Sequence, residues 1–480
     1  MNRTIPLATT PGAIRDRSTS AERIRELVVG VAACLMFAYP AGKYPPFRQW
    51  SNLIALPDSG LPAANPLSQL LNYDSLLIFA LALLVTSSGA TQIVRRATSS
   101  TTRVLALVAL LLTAGGLVAL PASALVGISI GRLLAYLTVV VFAIVVSQLR
   151  LRAAEIRVLM AAAVAGTGLV MAAGLYAFYA AYGVPSSLFS LMYAHFDFTG
   201  KFSEYERFTY GSPAQTQEVI MLTLPVCLVM SLAPGIGRAE RLFYTGVLSL
   251  LLLNSVIDFE RWALATIAAV ILLLIFRLVL QRRLRALALI ASCITALFVL
   301  VVVPSLADGR IVQYFSRATQ VGQADNVSDR IANWRHGLDA IRANPWGEGF
   351  GTELAQAGLP NGVAHNLLID TWIGGGPLAM AGVLLWLVWY LRAFFRYLRS
   401  VRCRVPAPSN EAAFGLYLGA FGLAFYSIIQ AVPFYNYGLG VWLAFWLVFP
   451  VLAIALTEDS GSGGDVEAPV SSSGGPAVLR

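Results

Sequence analysis

The chain has 480 residues, of which 57% are apolar and only 12% charged, against about 25% charged in an ordinary soluble domain, so it is not a soluble globular protein. Its formal charge of +9 would suit a nucleic-acid partner only if the basic residues lined one water-facing surface, and they lie scattered between apolar segments instead. The four cysteines, Cys34, Cys227, Cys293 and Cys403, fall in apolar stretches or, for Cys403, in an arginine-rich loop, which leaves no disulfide framework.

In chain order, residues 1–20 are polar and are expected to form a disordered cytoplasmic tail. Apolar windows punctuated by arginine then mark twelve spans, centred near residues 33, 82, 113, 138, 169, 224, 250, 269, 295, 380, 422 and 447, each needing about 20 residues. The first apolar run has the look of a signal peptide, but parity and charge fit better if it stays as the first span. An even number of spans returns both termini to one side. That side holds Arg3, Arg15, Arg17, Arg23 and Arg25, the arginines of the alternate loops and Arg480, 23 of the 34 basic residues, and the positive-inside rule makes it cytoplasmic. The opposite face carries loops at about 43–72, 182–213 and 306–364, the last and largest just before the tenth span. The expected fold is therefore all-α and polytopic, a membrane domain over 21–457 with a second disordered cytoplasmic tail, 458–480, rich in Gly and Ser. Neither a fixed-period repeat nor the paired interrupted helices of inverted-repeat transporters is visible.

All three histidines, His195, His336 and His365, lie in the outward loops together with 15 of the 25 acidic residues. Polar chemistry is thus concentrated on one face, while the middles of the spans are nearly free of charge, where a pump or flippase would keep its relay. A transporter of lipid-linked glycans is the rival reading, and this distribution disfavours it.

Within the third loop, the stretch from Ser328 to Asn344 reads as a short helix. Ser328 is its N-cap, Ile331, Trp334, Leu338 and Ile341 form an apolar stripe, and Asn344-Pro345 stops it. Such a helix lies on the membrane or on the helix bundle, with His336 on the face away from the stripe. Gly347, Gly349 and Gly351 follow as a turn that permits close backbone approach. His365-Asn366 then opens the tenth span, placing His365 on its first turn at the water boundary, with Asp370 one turn on and a Gly374-Gly375-Gly376-Pro377 interruption beyond.

These residues make the chain resemble the O-antigen ligase and O-antigen polymerase superfamily, bacterial membrane glycosyltransferases that use a lipid carrier. The matching motifs run from about Arg207 to about Leu391: Arg207-Phe-Thr-Tyr-Gly-Ser-Pro213 before a helix, Arg261 at a helix start, then Arg330, Trp334, Asn344-Pro345, Gly347, Gly349, Gly351 and His365-Asn366. Three positions depart from the family pattern, with Glu260 in place of a Ser, Gly374 in place of an acidic residue, and Ala379 in place of a Gly. The second departure leaves Asp370 as the carboxylate nearest His365.

The resemblance implies transfer of a glycan from undecaprenyl pyrophosphate to an acceptor sugar hydroxyl on the periplasmic face of the bacterial inner membrane. The acceptor is lipid A-core for a ligase, or a growing carrier-linked glycan for a polymerase. Such chemistry needs a base for the hydroxyl proton and counter-charge for the pyrophosphate. His365 is the candidate base, since a neutral imidazole suits proton abstraction. Arg207, Arg261, Arg330 and Arg335 are the candidate pyrophosphate clamp, since guanidinium forks bind phosphate bidentately. Asn366, Asp370 and Trp334 are supporting residues, while His195 and His336 read as solvated. With no outward Asp-x-Asp motif or His/Cys cluster, the expected site uses no metal and no cofactor; the Asp325/Asp329 pair is a weak cation signal. The partners are the donor, the acceptor and membrane lipids, with no nucleic acid.

The charge balance yields a topological test. A cysteine placed at Ser328 or Gly358 should react with a membrane-impermeant thiol reagent on intact cells, and one at Ser400 only after permeabilisation; external labelling at Ser400 would reverse the orientation.

Overall fold

The computed structural model describes residues 20–38, 100–124, 126–149, 151–182, 213–258, 261–297, 299, 327–351, 364–400, 407–429 and 440–462. Among these all regular structure is helical. The helices are α1 (Ser20–Ala38), α2 (Ser100–Ala119), α3 (Val126–Gln148), α4 (Ala153–Tyr182), α5 (Pro213–Ser231), α6 (Arg238–Asp258), α7 (Arg261–Leu280), α8 (Leu284–Leu297), α9 (Val327–Ala343), α10 (Leu367–Ser400), α11 (Pro408–Ile429) and α12 (Gly440–Ser462), with a 3-10 turn at Leu120–Ala122 after α2. Six of them, α2, α3, α4, α7, α10 and α11, are long and apolar enough to cross a membrane, and shorter apolar helices lie within α5, α8 and α12. The chain is a polytopic all-α membrane protein. The expected span near residue 82, the loop over 43–72, most of the N-terminal tail and residues 463–480 lie outside the described residues. The other expected loops are described in part, and α12 runs to Ser462, past the expected start of the tail.

Helices without a hydrophobic driving force between them associate through close packing of small residues, and two pairs here do so. α5 is buried along most of its length and receives a glycine stripe from α11: a Cβ at Gly415 would lie 3.2 Å from the Cα of Val226, and one at Gly422 2.8 Å from the carbonyl oxygen of Met221. α10 packs most closely on α2, where Gly115 meets Gly375 and Ala379, and Gly382 meets Val108 and Leu111.

Charged side chains gather where α4 begins and α7 ends. Arg25 and Arg152 meet Glu155, at 3.0 and 3.3 Å, and Arg157 grips both oxygens of Glu240 at 2.8 Å. Arg277 pairs with Glu411 at 2.6 Å with both side chains almost fully buried, its guanidinium 4.1 Å above the Phe414 ring. All these arginines belong to the set that the sequence assigns to the cytoplasmic side, and they tie α1 to α4, α4 to α6, and α7 to α11.

The 34-residue α10 contains a break at Gly376 (φ 67, ψ −168) just before Pro377. The 24 residues from Pro377 to Ser400 span about 36 Å, enough for a hydrocarbon layer of about 30 Å. The head of α10, Leu367–Gly375, is surplus to that crossing. The loop after α9 seats against the break: the Glu348 N–H donates to the Ile373 carbonyl at 2.7 Å, the Phe350 ring covers Gly374 and Gly375, and its edge meets Tyr136 of α3 at 5.0 Å between centroids. Gly376→Ala would put a Cβ into the Trp346 backbone and demand a left-handed alanine, whereas Gly246 has open space around it. In detergent, Gly376→Ala should lose about 1–3 kcal/mol and Gly246→Ala should be neutral or gain up to about 1 kcal/mol; equal melting temperatures would mean that the break is not constrained.

Candidate active site

The head of α10 is built by two side chains that cap it. The Asn366 Oδ1 accepts the N–H groups of Leu368 and Ile369 at 3.0 and 3.2 Å, as an N-cap does. One turn on, the buried Asp370 carboxylate reaches back, accepting the N–H of Ala364 at 2.9 Å and of Asn366 at 2.8 Å. These two donors flank His365. The chain between them is left-handed, His365 having φ 56, a conformation costly for a residue with a Cβ and sustained only where the surroundings fix it. His365 thus stands just before the N-cap, not on the first turn as the sequence suggests, and Asp370 holds its backbone.

α9 supplies the other wall. It begins and ends within a residue of the sequence reading, but the face it turns to the bundle is not the apolar stripe. Arg330, Asn333 and Gly337 are buried, while Ile331 and Leu338 are 42% and 45% exposed and Trp334 is half-buried. The reason is steric. A Cβ at Gly337 would lie 2.6 Å from Ile369 and 3.0 Å from Ala364, so only a glycine-centred face lets α9 approach the α10 head. The same face carries Arg330, two turns earlier, whose side chain is buried. Arg335 and His336 fall on the exposed side.

Burial, and then the positive charge of Arg330, push the His365 imidazole from its ordinary 6.5 down to about 3. It is neutral throughout the neutral pH range, and the same two causes make it a weak proton acceptor in the unliganded protein. Because the unfolded chain takes up a proton that the folded one refuses, this residue costs stability progressively as pH falls from about 6.5 toward 3.

The structure therefore brings together His365, Asn366 and Asp370 at the head of α10 and sets the buried face of α9, with Arg330, against that head, while Trp334 is half-buried on α9 and Arg335 is exposed. Arg207 and the Arg261 side chain lie outside the described residues, as do His195, Asp325 and the Asp329 side chain. Among the described residues, no three His, Cys, Asp or Glu side chains gather as metal ligands. The sequence reading gave no role to Arg132, 2% exposed on α3, though an arginine inside an apolar run is a signal in itself. It lies one turn from Ser129, whose Oγ is 2.5 Å from where a Gly349 Cβ would stand. Nor did it foresee that Glu348 and Phe350 anchor the loop; Pro377 was the available sign, because it leaves the Ile373 carbonyl in need of a donor.

Residues 246–384, 139 of the 480, match the family described as O-antigen ligase. The match runs from within α6 to within α10 and includes Arg261, Arg330, Arg335, His365 and Asp370, while Arg207 precedes it. The likeness to the O-antigen ligase and polymerase superfamily is thus shown over that segment. No curated protein matches the chain.

Asp370→Asn keeps the size of the side chain but replaces one accepting oxygen by a donor, so one of the two N–H groups flanking His365 loses its partner. A charge-assisted bond of this kind is worth about 1.5–3 kcal/mol. Amide exchange in the segment 364–370 should therefore speed up about tenfold or more, while the α11 amides remain unchanged. Unaltered exchange at 364–370 would show that the left-handed turn is held by something else.

Proposed function

We propose that this protein is a glycosyltransferase of the O-antigen ligase type, moving a glycan from undecaprenyl pyrophosphate to a sugar hydroxyl of lipid A-core at the periplasmic face of the bacterial inner membrane. The observation that carries the reading is a histidine held in a left-handed turn by the Asp370 cap at the head of a membrane helix, with a buried arginine on the helix face packed against that head, inside the segment that matches the O-antigen ligase family. In this reading His365 takes the proton of the acceptor hydroxyl as its oxygen attacks C1 of the donor sugar. The bond from C1 to the phosphate oxygen breaks, and undecaprenyl pyrophosphate leaves with the electron pair. Arg330, with Arg207 and Arg261, balances the charge on the leaving group, which is where guanidinium forks act best. Arg335, on the exposed side of α9, is left to meet the donor at the entrance. Asn366 and Asp370 hold the base in position, Trp334 packs at its edge, and the arginines act without a metal ion or cofactor.

The test is transfer of a carrier-linked glycan to lipid A-core by the purified protein in buffer containing EDTA, with donor affinity measured in parallel. His365→Ala should lower single-turnover rate by about 10²–10⁴-fold and leave donor affinity nearly unchanged. Arg261→Ala and Arg207→Ala should weaken both, with lysine restoring only part. Full activity in His365→Ala with a dead His336→Ala would move the base to the other histidine, and activity dependent on added Mg²⁺ would overturn the metal-free reading.

A further inference from the structure

The glycine that brings α9 to the α10 head also turns an apolar flank of α9 outward. Gly337 packs on Ala364 and Ile369, and a Cβ there would stand 3.5 Å from Ile373. Ile331 and Leu338, 42% and 45% exposed, lie two turns apart on the next side of the helix. The half-buried Trp334 and Ile341 continue the flank toward the bundle, and Trp346, just past the helix, is 61% exposed. A single exposed apolar side chain needs no explanation. Here they form a stripe at spacings of three and four, as on a helix that buries one side.

The height of the stripe decides what covers it. The crossing segment of α10 starts at Pro377, and the Trp346 backbone lies against Gly376. Gly337 faces Ile369 and Ile373, seven and three residues before Gly376, so it stands no more than about 10 Å along the α10 head from the start of the crossing. A bilayer about 40–45 Å thick with a core of about 30 Å has a headgroup region of about 5–8 Å on each side. The stripe is therefore level with the headgroups. The Trp372 indole donates to the Pro345 carbonyl at 2.9 Å and ties the end of α9 to the same level. Charge marks the same boundary: the exposed Arg335 and Arg342 follow Ile331 and Leu338 by four residues each, and so border the stripe on its outer side. Asp339 takes one nitrogen of Arg342 at 2.7 Å, an exposed pair that holds it only weakly. The far flank, with Ala332, His336 and Ala343, is exposed and has no large apolar side chain.

We propose that α9 is an interfacial helix with two contact faces: its glycine face docks on the head of α10, and its Ile331–Leu338 flank, with the Trp346 ring, sits in the phospholipid leaflet on the His365 side, where Arg335 and Arg342 meet headgroup phosphates. A tryptophan ring suits that boundary. Arginine stems lie along apolar surface while their guanidinium groups stay at the phosphates, and an amphipathic helix of this kind enters about 5–10 Å into the headgroup boundary. Lipid on one flank and the α10 head on the other fix the rotation of α9 about its axis, and with it the seat of Glu348 and Phe350 on the α10 break. The partner is bulk phospholipid, so the inference stands independently of the transfer reaction. Arg335, at the donor's entrance in that reaction, faces the same plane.

The experiment uses the unmodified full chain, one copy per nanodisc, in phosphatidylcholine and phosphatidylglycerol with a trace of phosphatidylcholine that carries a diazirine on its acyl chain just below the headgroup. On irradiation the diazirine loses nitrogen and the carbene inserts into the nearest side chain, which peptide mass spectrometry identifies. A water-soluble diazirine, used in parallel, labels what faces water. The lipid label should appear on Ile331, Leu338 and Trp346 and be weaker by about tenfold or more on Ala332, His336 and Ala343, the contrast expected of a helix set about 5–10 Å into the boundary on one side only. The aqueous label should show the reverse. Leu338→Asp should lower lipid labelling at Ile331 several-fold, while Leu117, exposed on α2 beside the glycines that meet α10, stays labelled as in the parent and shows that the bundle is intact. Ala332→Asp should change neither. Aqueous labelling of Ile331 and Leu338 equal to that of Ala332 would overturn the proposal. So would a stripe that neither reagent reaches, covered then by another segment of the chain, or one that the lipid label reaches only after a polyprenyl phosphate is added, which would assign it to a lipid carrier. The comparison in the parent protein needs no variant to fold, and it is read without any glycosyl transfer.

Discussion

Pro377 has no N–H to offer the carbonyl of Ile373 four residues earlier, and inside an apolar bundle that carbonyl cannot be left without a donor. The Glu348 N–H fills the place at 2.7 Å. One backbone hydrogen bond thereby fastens the loop after α9 to the break in α10, and much of the site follows from it. The loop can lie that close because Gly347, Gly349 and Gly376 have positive φ and no side chains to collide. Once it is seated, the Phe350 ring fills the groove over Gly374 and Gly375, and α9 is drawn across the α10 head. A helix break that costs a hydrogen bond within α10 is in this way converted into the attachment point for the polar half of the site.

The head of α10 beyond that break answers to a second constraint. A helix start exposes N–H groups that need acceptors, and here Asn366 and Asp370 provide them on the helix and on the strand of chain leading into it. Because Asp370 binds N–H groups on either side of His365, capping the helix and fixing a left-handed histidine are the same act. The cap holds the backbone of His365, and α9 supplies the buried Arg330 whose charge lowers its proton affinity. Local hydrogen bonding sets the geometry of the base, and tertiary packing sets its electrostatics.

Charge is divided between the two ends of the bundle according to what each must do. Away from His365, arginines are bonded to glutamates that sit on neighbouring helices, as in the Arg277–Glu411 pair with Tyr397 and Phe414 around it. Removing either member of so buried a pair would strand a charge in low dielectric, so these contacts fix helix ends relative to one another. Near His365, the buried Arg330 lies on the face of α9 that is turned to the head of α10, and its charge lowers the proton affinity of the imidazole.

Composition and periodicity by themselves determined that the chain is an all-helical membrane protein and where most helices lie, while the resemblance to the O-antigen ligase and polymerase superfamily grouped Arg330, Asn344-Pro345 and His365-Asn366 into one motif. These are readable because apolar length, arginine punctuation and capping residues act locally. The α9 boundaries were legible for the same reason. Its orientation was not: an apolar stripe at helical spacing suggests the buried face, yet close approach to Ile369 and Ala364 required Gly337, and that choice buried Arg330 and exposed Ile331, Leu338 and Arg335. Likewise the Gly374–Pro377 interruption announced a break, but not that Glu348 and Phe350 would occupy it. The left-handed turn at His365 depends on Asp370 folding back across a helix start. Only the tertiary structure decided these matters, because each depends on which backbone can come within about 3–4 Å of another, a relation between residues that the order of the chain does not encode locally.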